Sequence, residues 1–408
     1  MNNIDTDIIV VGAGLVGIAA AVSLAQKTHD KSYRVVLVDQ KCPSTALTEA
    51  YDSRIYAISP STVSWLQELD VWQMVDAARI NPIKAMHIFG DARSSELKLL
   101  ASDANAVNLG YIVESQQLMH ALWQKLQLLN IKVITGIACQ ALALTSQQVS
   151  LTLVNQQVIN AQLAVAADGV DSWVRTQANI SVKNKPYQQA AIVANFSCVH
   201  SHQSIARQWF GAKEYGSDSV LAFLPLSDHQ ISIVWSVATE KAHQLLSLSD
   251  EDFTYQVSQQ SGALLGSLKL TSSRRSFDLN QKICARLIAE RVVLVGDAAH
   301  QIHPMAGQGV NLGFRDVMAL EQVLSDTKYF VSKAHTTTTN THIASNRILR
   351  EYERARAADI SNMMHLTDGL HQLFSAKTGL IKTLRNWGLS TIDQQLLIKK
   401  YLIQQAIS

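Results

Sequence analysis

The sequence predicts an α/β fold with an inserted β-sheet domain and a helical C-terminal region, and three observations carry that expectation. A glycine-rich turn joins an apolar run to a helical pattern within the first 27 residues, and a second apolar run ends in Gly296-Asp297. Between residues 176 and 284 the pattern shifts to alternating and β-branched runs. After residue 341 it turns helical.

In chain order, Asp7-Ile8-Ile9-Val10-Val11 suits a strand buried on both faces. Leu15 to Lys27 keeps Ile18, Ala19, Val22, Leu24 and Ala25 at helical spacing. Between them lies Gly12-Ala13-Gly14-Leu15-Val16-Gly17. Gly12 permits the tight turn, Gly14 lets backbone N–H groups approach a pyrophosphate, and Gly17 lets helix and strand pack closely. The next run, Arg34 to Val38, ends in Asp39, about 20 residues past Gly17, where a carboxylate can accept from a ribose diol. A lone glycine pattern of this kind is weak evidence. Strand, turn, helix, strand and acid in register make it a Rossmann-like dinucleotide-binding unit, although they do not separate NAD from FAD.

The later signature decides for FAD. Arg291 to Val295 reads as a buried strand that delivers Gly296-Asp297 at its carboxyl end, where open α/β sheets place ligands. Asp297 there can accept from the hydroxyls of a sugar chain. The loop His303-Pro304-Met305-Ala306-Gly307-Gln308-Gly309-Val310-Asn311 then enters a helix near Val310. Its N–H groups can stabilise negative charge on a reduced isoalloxazine.

With these residues in place, the chain resembles the class A flavoprotein monooxygenases of the aromatic-hydroxylase type, and within them the ubiquinone-biosynthesis hydroxylases. The resemblance spans nearly the whole chain. It rests on the Gly12 to Gly17 turn, Asp52-Ser53-Arg54 with Ala57-Ile58-Ser59, Gly110 to Glu114, Ala167-Asp168-Gly169-Val170-Asp171-Ser172 with Arg175, Phe223-Leu224-Pro225-Leu226, and the run from Gly296 through Asp316. It implies an FAD-binding domain of the glutathione-reductase type. It further implies that Asp168 and Gly169 lie behind the FAD pyrophosphate and bear on NAD(P)H use, that Arg54 contacts the flavin side, and that Gly296-Asp297 hold the ribitol. One position departs from the pattern: Ala166 stands where the family usually has glycine.

Plainer readings exist for several of these residues. Asp168-Gly169 alone would be a β-turn, and Arg175 alone a solvated charge or a carboxylate partner. His300 and His303 have H-x-x-H spacing but no accompanying carboxylate or cysteine set, so no metal is expected.

Composition bounds the rest. The chain has 408 residues, 47% of them hydrophobic, enough for two intimately joined domains. With 35 basic against 33 acidic residues it is not a general nucleic-acid binder. Cys42, Cys139, Cys198 and Cys284 lack CxxC spacing and read as reduced thiols. No signal-peptide pattern precedes the first strand, and no apolar stretch is long enough to span a bilayer. The expected location is the bacterial cytoplasm, with a peripheral position on the inner membrane left open.

The expected domains are a discontinuous FAD-binding domain (1–175 and 285–325), a substrate-binding β-sheet domain (176–284) and helices over 341–408. Within the sheet domain, Trp209, Phe223, Pro225 and Trp235 are candidates for a ring pocket, though each alone reads as ordinary core. The tail holds nine Lys or Arg against five Asp or Glu. Leu380, Ile381, Leu384 and Trp387 fall at helical spacing among Lys377, Lys382 and Arg385, and Leu397, Tyr401 and Leu402 follow beside Lys399 and Lys400. Such a helix can lie in a membrane interface or pack on the core with a solvated basic face.

The resemblance implies ring hydroxylation of a polyprenylated phenol or quinol precursor of ubiquinone, with NAD(P)H as transient reductant, O₂ as co-substrate and a C4a-hydroperoxyflavin as oxidant. A membrane surface and a biosynthetic complex are open as partners. Two alternatives stand beside it. A hydroxylase of a small soluble aromatic acid would need a pocket cation, for which Arg207 is the candidate, and a flavin-binding scaffold would need no turnover. The sequence singles out no catalytic base.

Overall fold

The computed structural model describes residues 3–26, 32–90, 96–212, 215–302, 308–326, 343–375, 399–400 and 403. At its centre Ile8–Val11 is flanked by Val35–Asp39 and Leu163–Ala166. Lys132–Thr135 and Val292–Leu294 extend this parallel sheet on either side, and Ile288–Ala289 closes one edge antiparallel. Ile8, Ile9, Val10, Leu37, Leu163, Val165 and Val293 are fully buried, as strands covered on both faces must be. Helices Leu15–Ala25, Ser115–Leu128 and Gly309–Ser325 pack around it. Glu321 ties the helices together, accepting from Ser23 Oγ at 2.5 Å and Trp65 Nε1 at 3.2 Å.

The second body is a nine-stranded sheet. Along it run His300–Gln301, Arg275–Cys284, Val182–Cys198, Gln230–Ala238, Gly216–Pro225, Ile205–Ala212, Ala85–Phe89 and Glu96–Leu100, with Leu268–Leu270 beside Val182–Cys198. The runs 190–196 and 230–235 lie inside two of these strands. Three strands of the sheet come from outside 176–284: Ala85–Phe89 joins parallel to Ile205–Ala212, Glu96–Leu100 follows it, and His300–Gln301 pairs with Arg275–Cys284. Sequence separation hides such pairings, because each strand alone shows only its own alternation.

Helices Thr239–Ser247 and Asp250–Gln260 cover one face of this sheet over a core of Phe196, Trp235, Ile233 and Phe253. The other face looks toward the dinucleotide domain. Trp209, Phe223 and Trp235 therefore do not line a ring pocket. Trp209 meets Phe223 edge-on at 4.8 Å and stacks on Phe89 at 5.2 Å, on the face away from the cavity. Successive strand residues alternate faces, so the cavity receives their neighbours instead.

Two small sheets complete the frame. Cys139–Leu144, Val149–Leu153, Val158–Ala161 and Asn3–Asp5 form one, and Ile55–Ile58, Gly110–Glu114 and Asn81–Ile83 the other. In the tail, the stretch from Lys377 to Leu397, together with Tyr401 and Leu402, lies outside the described residues. Lys399, named as part of the basic face, is instead buried beside Asp103 at 3.1 Å, and Ile403 is fully buried against the second sheet's end. No described helix is long and apolar enough to cross a membrane.

Candidate active site

The glycine turn behaves as its spacing requires. Gly12 has φ +110°, and a Cβ there would lie 2.3 Å from the Ala167 carbonyl oxygen. At Gly17 a Cβ would lie 1.9 Å from Gly12 O, so helix and turn touch backbone to backbone. Gly14 is different: an added Cβ would meet nothing within 4 Å, because the residue faces a cavity. Asp39 accepts from Ala13 N at 2.6 Å and Lys41 N at 2.7 Å, leaving lone pairs for a sugar hydroxyl.

A cavity of about 620 Å³ runs from Gly14, Gly169 and Asp297 to the open face of the large sheet. Asp297 makes no protein hydrogen bond among the described residues. Its carboxylate is open to the cavity yet deep in the molecule, and burial pushes its pKa above the usual carboxylate range against the pull of His300 and Arg54. Such a carboxylate has its acceptor sites free for a ligand's donors. Gly169, at φ +84°, and Gly309 also face open space. Gly309, Val310 and Asn311 begin the helix Gly309–Ser325, so their N–H groups have no acceptor within it. An extended polyhydroxylated dinucleotide fits this row of open backbone and one unpartnered acid.

Other predicted residues turn out to hold the frame. Asp168 caps the helix Trp173–Gln177, accepting from Ser172 Oγ at 2.5 Å and Val174 N at 3.0 Å; burial raises its pKa, which these bonds oppose. Arg175 is neither solvated nor paired with a carboxylate. It is buried and donates to Ala298 O at 2.9 Å and Val170 O at 3.0 Å, joining the two cofactor-side turns. The Asn311 side chain is buried and bonded to the frame: Oδ1 accepts from Ser59 N at 2.9 Å and Nδ2 donates to Ala57 O at 2.8 Å. Its backbone N–H, at the helix start, is the group offered to a ligand. Pro304 and Gly307, with His303, lie outside the described residues.

Asp316 is the hub behind Gly296. It is fully buried and accepts from Gly296 N at 2.8 Å, His300 Nε2 at 2.7 Å and Arg356 Nε at 2.7 Å. Burial alone would raise its pKa, but His300 and Arg356 hold it below the usual value. Glu114 has the same role for the opposite wall. It accepts from Asp52 N at 2.6 Å and takes a two-pronged bond from Arg79 at 2.6 and 2.8 Å. This explains why Asp52-Ser53-Arg54 and Gly110 to Glu114 occur together. Arg54 reaches the cavity beside Tyr56, whose ring lies 5.6 Å from its guanidinium carbon. Burial raises the Tyr56 phenol's pKa.

The sheet forms the cavity's ceiling with Met86, Ala206, Gln208, Ala222, Ser232 and Val234, mostly small or apolar. Arg207, the candidate for a carboxylate, points to the far face and donates to His202 O at 3.0 Å and Ile205 O at 3.2 Å. Sequence reasoning missed Tyr56, Gln208 and Ser232. Their signal was present for two of them, as polar side chains alternating within apolar strands.

Residues 5–361 match the family described as FAD binding domain. The chain belongs to this family. It is 30% identical over 410 residues to the 3-demethoxyubiquinol 3-hydroxylase of Escherichia coli, covering 100% of both chains. It is also 30% identical over 403 residues to the ubiquinone hydroxylase UbiL of Rhodospirillum rubrum, covering 98% of this chain and 89% of that one. The p-nitrophenol 4-monooxygenase PnpA of Pseudomonas putida superposes with TM-score 0.76 at 15% identity, over 100% of this chain and 99% of that one. This last likeness shows the shared fold. The protein is a flavin-dependent aromatic monooxygenase that takes FAD as its cofactor.

Proposed function

We propose that this enzyme hydroxylates the aromatic ring of a polyprenylated ubiquinone precursor at the surface of the bacterial inner membrane. The observation that carries the reading is the cavity: its floor is the dinucleotide site and its ceiling is mostly small or apolar and, among the described residues, carries no cation. The named activities of the two full-length relatives support the same substrate class. Bound FAD, reduced by NAD(P)H, supplies the activation of O₂ that places one oxygen atom on the ring and releases the other as water.

The chain's residues bind, orient and exclude water. Asp39 accepts from the ribose, backbone at Gly14 meets the pyrophosphate on a turn that Gly12 and Ala13 hold through Val38 O and Asp39, and Asp297 accepts from the ribitol. Arg54 flanks the flavin, and the first N–H groups of the helix at Gly309, Val310 and Asn311 offset negative charge on its ring. Gly169 leaves the pyrophosphate wall open, while Asp168 holds that turn. We assign FAD binding to Pro304 and Gly307 as well, from their place in the sequence motif. The apolar ceiling keeps the reacting ring dry.

A soluble aromatic acid would call for a cation on the ceiling, and Arg207 faces the other way. Expression in bacterial strains each lacking one ring hydroxylase, with quinone intermediates identified by mass spectrometry, tests the proposal. Restored ubiquinone in one strain supports it and names the ring position. FAD-loaded protein that restores none refutes it.

A further inference from the structure

The ceiling is a grid, because its strands are in register. Ser232 is paired with Asn195 on one neighbouring strand and Leu224 on the other, so the three side chains share one face of the sheet, where Ser232 and Leu224 line the cavity and Asn195 stands beside Ser232. Ser232 lines the cavity and is 1% exposed, and its Oγ has no hydrogen-bond partner. Asn195 is also 1% exposed. Its Nδ2 donates to Tyr51 O at 3.1 Å and Asp52 O at 3.0 Å, leaving Oδ1 without a donor.

A hydroxyl and an amide oxygen, both unsatisfied, thus stand side by side in a stretch otherwise formed by Leu224, Ala206 and Met86. Buried polar atoms left without partners are uncommon, and each calls for an explanation. The Asn195 bonds also fix this spot relative to the chain that carries Arg54. Two residue pairs along the same strand, Phe277 stands opposite Ala191, lines the cavity and is 48% exposed. The grid therefore has a closed end that holds two orphan polar atoms and an open end past Phe277.

We propose that Ser232 and Asn195 form the seat for a ring hydroxyl of the substrate, with the apolar tail leaving past Phe277. Ser232 Oγ donates to the ring oxygen, and the ring O–H donates to Asn195 Oδ1. The seat deepens the proposed function and rests on it for the substrate class. A phenol or quinol satisfies both orphan atoms at once, whereas a ring bare at that carbon satisfies neither, and the seat fixes which ring carbon faces the flavin.

The test uses the FAD-loaded full chain with two probes, 2-prenylphenol and prenylbenzene, their dissociation constants read from the perturbation of flavin absorbance. Ser232→Ala should weaken the phenol about tenfold, the worth of one hydrogen bond of roughly 1.4 kcal/mol, and leave prenylbenzene unchanged. Ser232→Thr, which keeps the hydroxyl, should retain phenol binding. FAD content should stay at the wild-type level, and the Ser232→Ala melting temperature should hold or rise, because the lost hydroxyl bonds no protein atom. Equal effects on the two probes, no effect on either, or a fall in melting temperature would overturn the seat. Binding needs no turnover, so failed complementation with a selective loss of phenol binding would remove the ubiquinone reading and leave the seat standing.

Discussion

Alanine at Gly14 and at Gly17 should separate cofactor binding from folding, although the two glycines belong to one turn. At Gly17 the new Cβ would stand 1.9 Å from Gly12 O and 3.1 Å from Ala167 Cβ. The nearer contact is more than 1 Å too close, and the atom struck is backbone, so no rotamer change relieves it. Over-packing in a filled core costs about 1–3 kcal/mol, and a backbone clash belongs at or above the top of that range. Against a total stability of about 5–15 kcal/mol this is a large loss. At Gly14 the new Cβ meets no protein atom within 4 Å and enters the space left for the pyrophosphate. Displacing one charge-assisted hydrogen bond of about 1.5–3 kcal/mol weakens FAD tenfold or more. The assay is thermal melting of both apo-proteins, with the flavin-to-protein absorbance ratio after gel filtration. Gly17→Ala should melt well below wild type. Gly14→Ala should melt with wild type and lose flavin. Wild-type melting for the first, or full flavin retention by the second, would refute the division of labour.

Three further outcomes follow from the same contacts. Asp297→Asn should retain less FAD yet make the apo-protein more stable at neutral pH. Burial raises this acid's folded pKa, so the folded state binds more protons than the unfolded state between the two values, and stability falls as pH rises through that window. The gap between the apo-variant and apo-wild type, followed by denaturant melts, should close as pH drops below the ordinary carboxylate value. Asp316→Ala should cost about 3 kcal/mol in a denaturant melt, because it leaves the buried Arg356 Nε–H and the Gly296 N–H without their acceptor while Arg356 keeps Asp359. Trp235→Ala should cost about 3–5 kcal/mol with no change in KM for the ring, since the side chain is fully buried on the face away from the cavity; a selective rise in KM would contradict that placement.

The cofactor was legible in the sequence because its binding unit is local. A turn that must run backbone against backbone tolerates only glycine at Gly12 and Gly17, and β-branched runs beside it can only be buried strands. The same locality made Asp297 readable, in the turn that directly follows the strand Val292–Leu294. What the tertiary structure decided was direction and partnership. Alternation says that Trp209 and Gln208 face opposite ways, but which face meets the cavity depends on helices packed from residues 239–260 and on a floor built by residues 14–57. Arg207 and Arg175 looked like ligands or surface charges because a sequence shows a charge without its acceptors, and theirs are backbone carbonyls. Asn311 and Asp316 lie within a flavin motif, yet their side chains are spent on Ala57, Ser59, Gly296, His300 and Arg356, some of them about 250 residues away. The sequence therefore determined the cofactor and the layers, through short-range sterics and periodicity. The shape and polarity of the substrate's chamber arose only when distant strands came into register, because hydrogen-bond satisfaction is a property of the assembled interior.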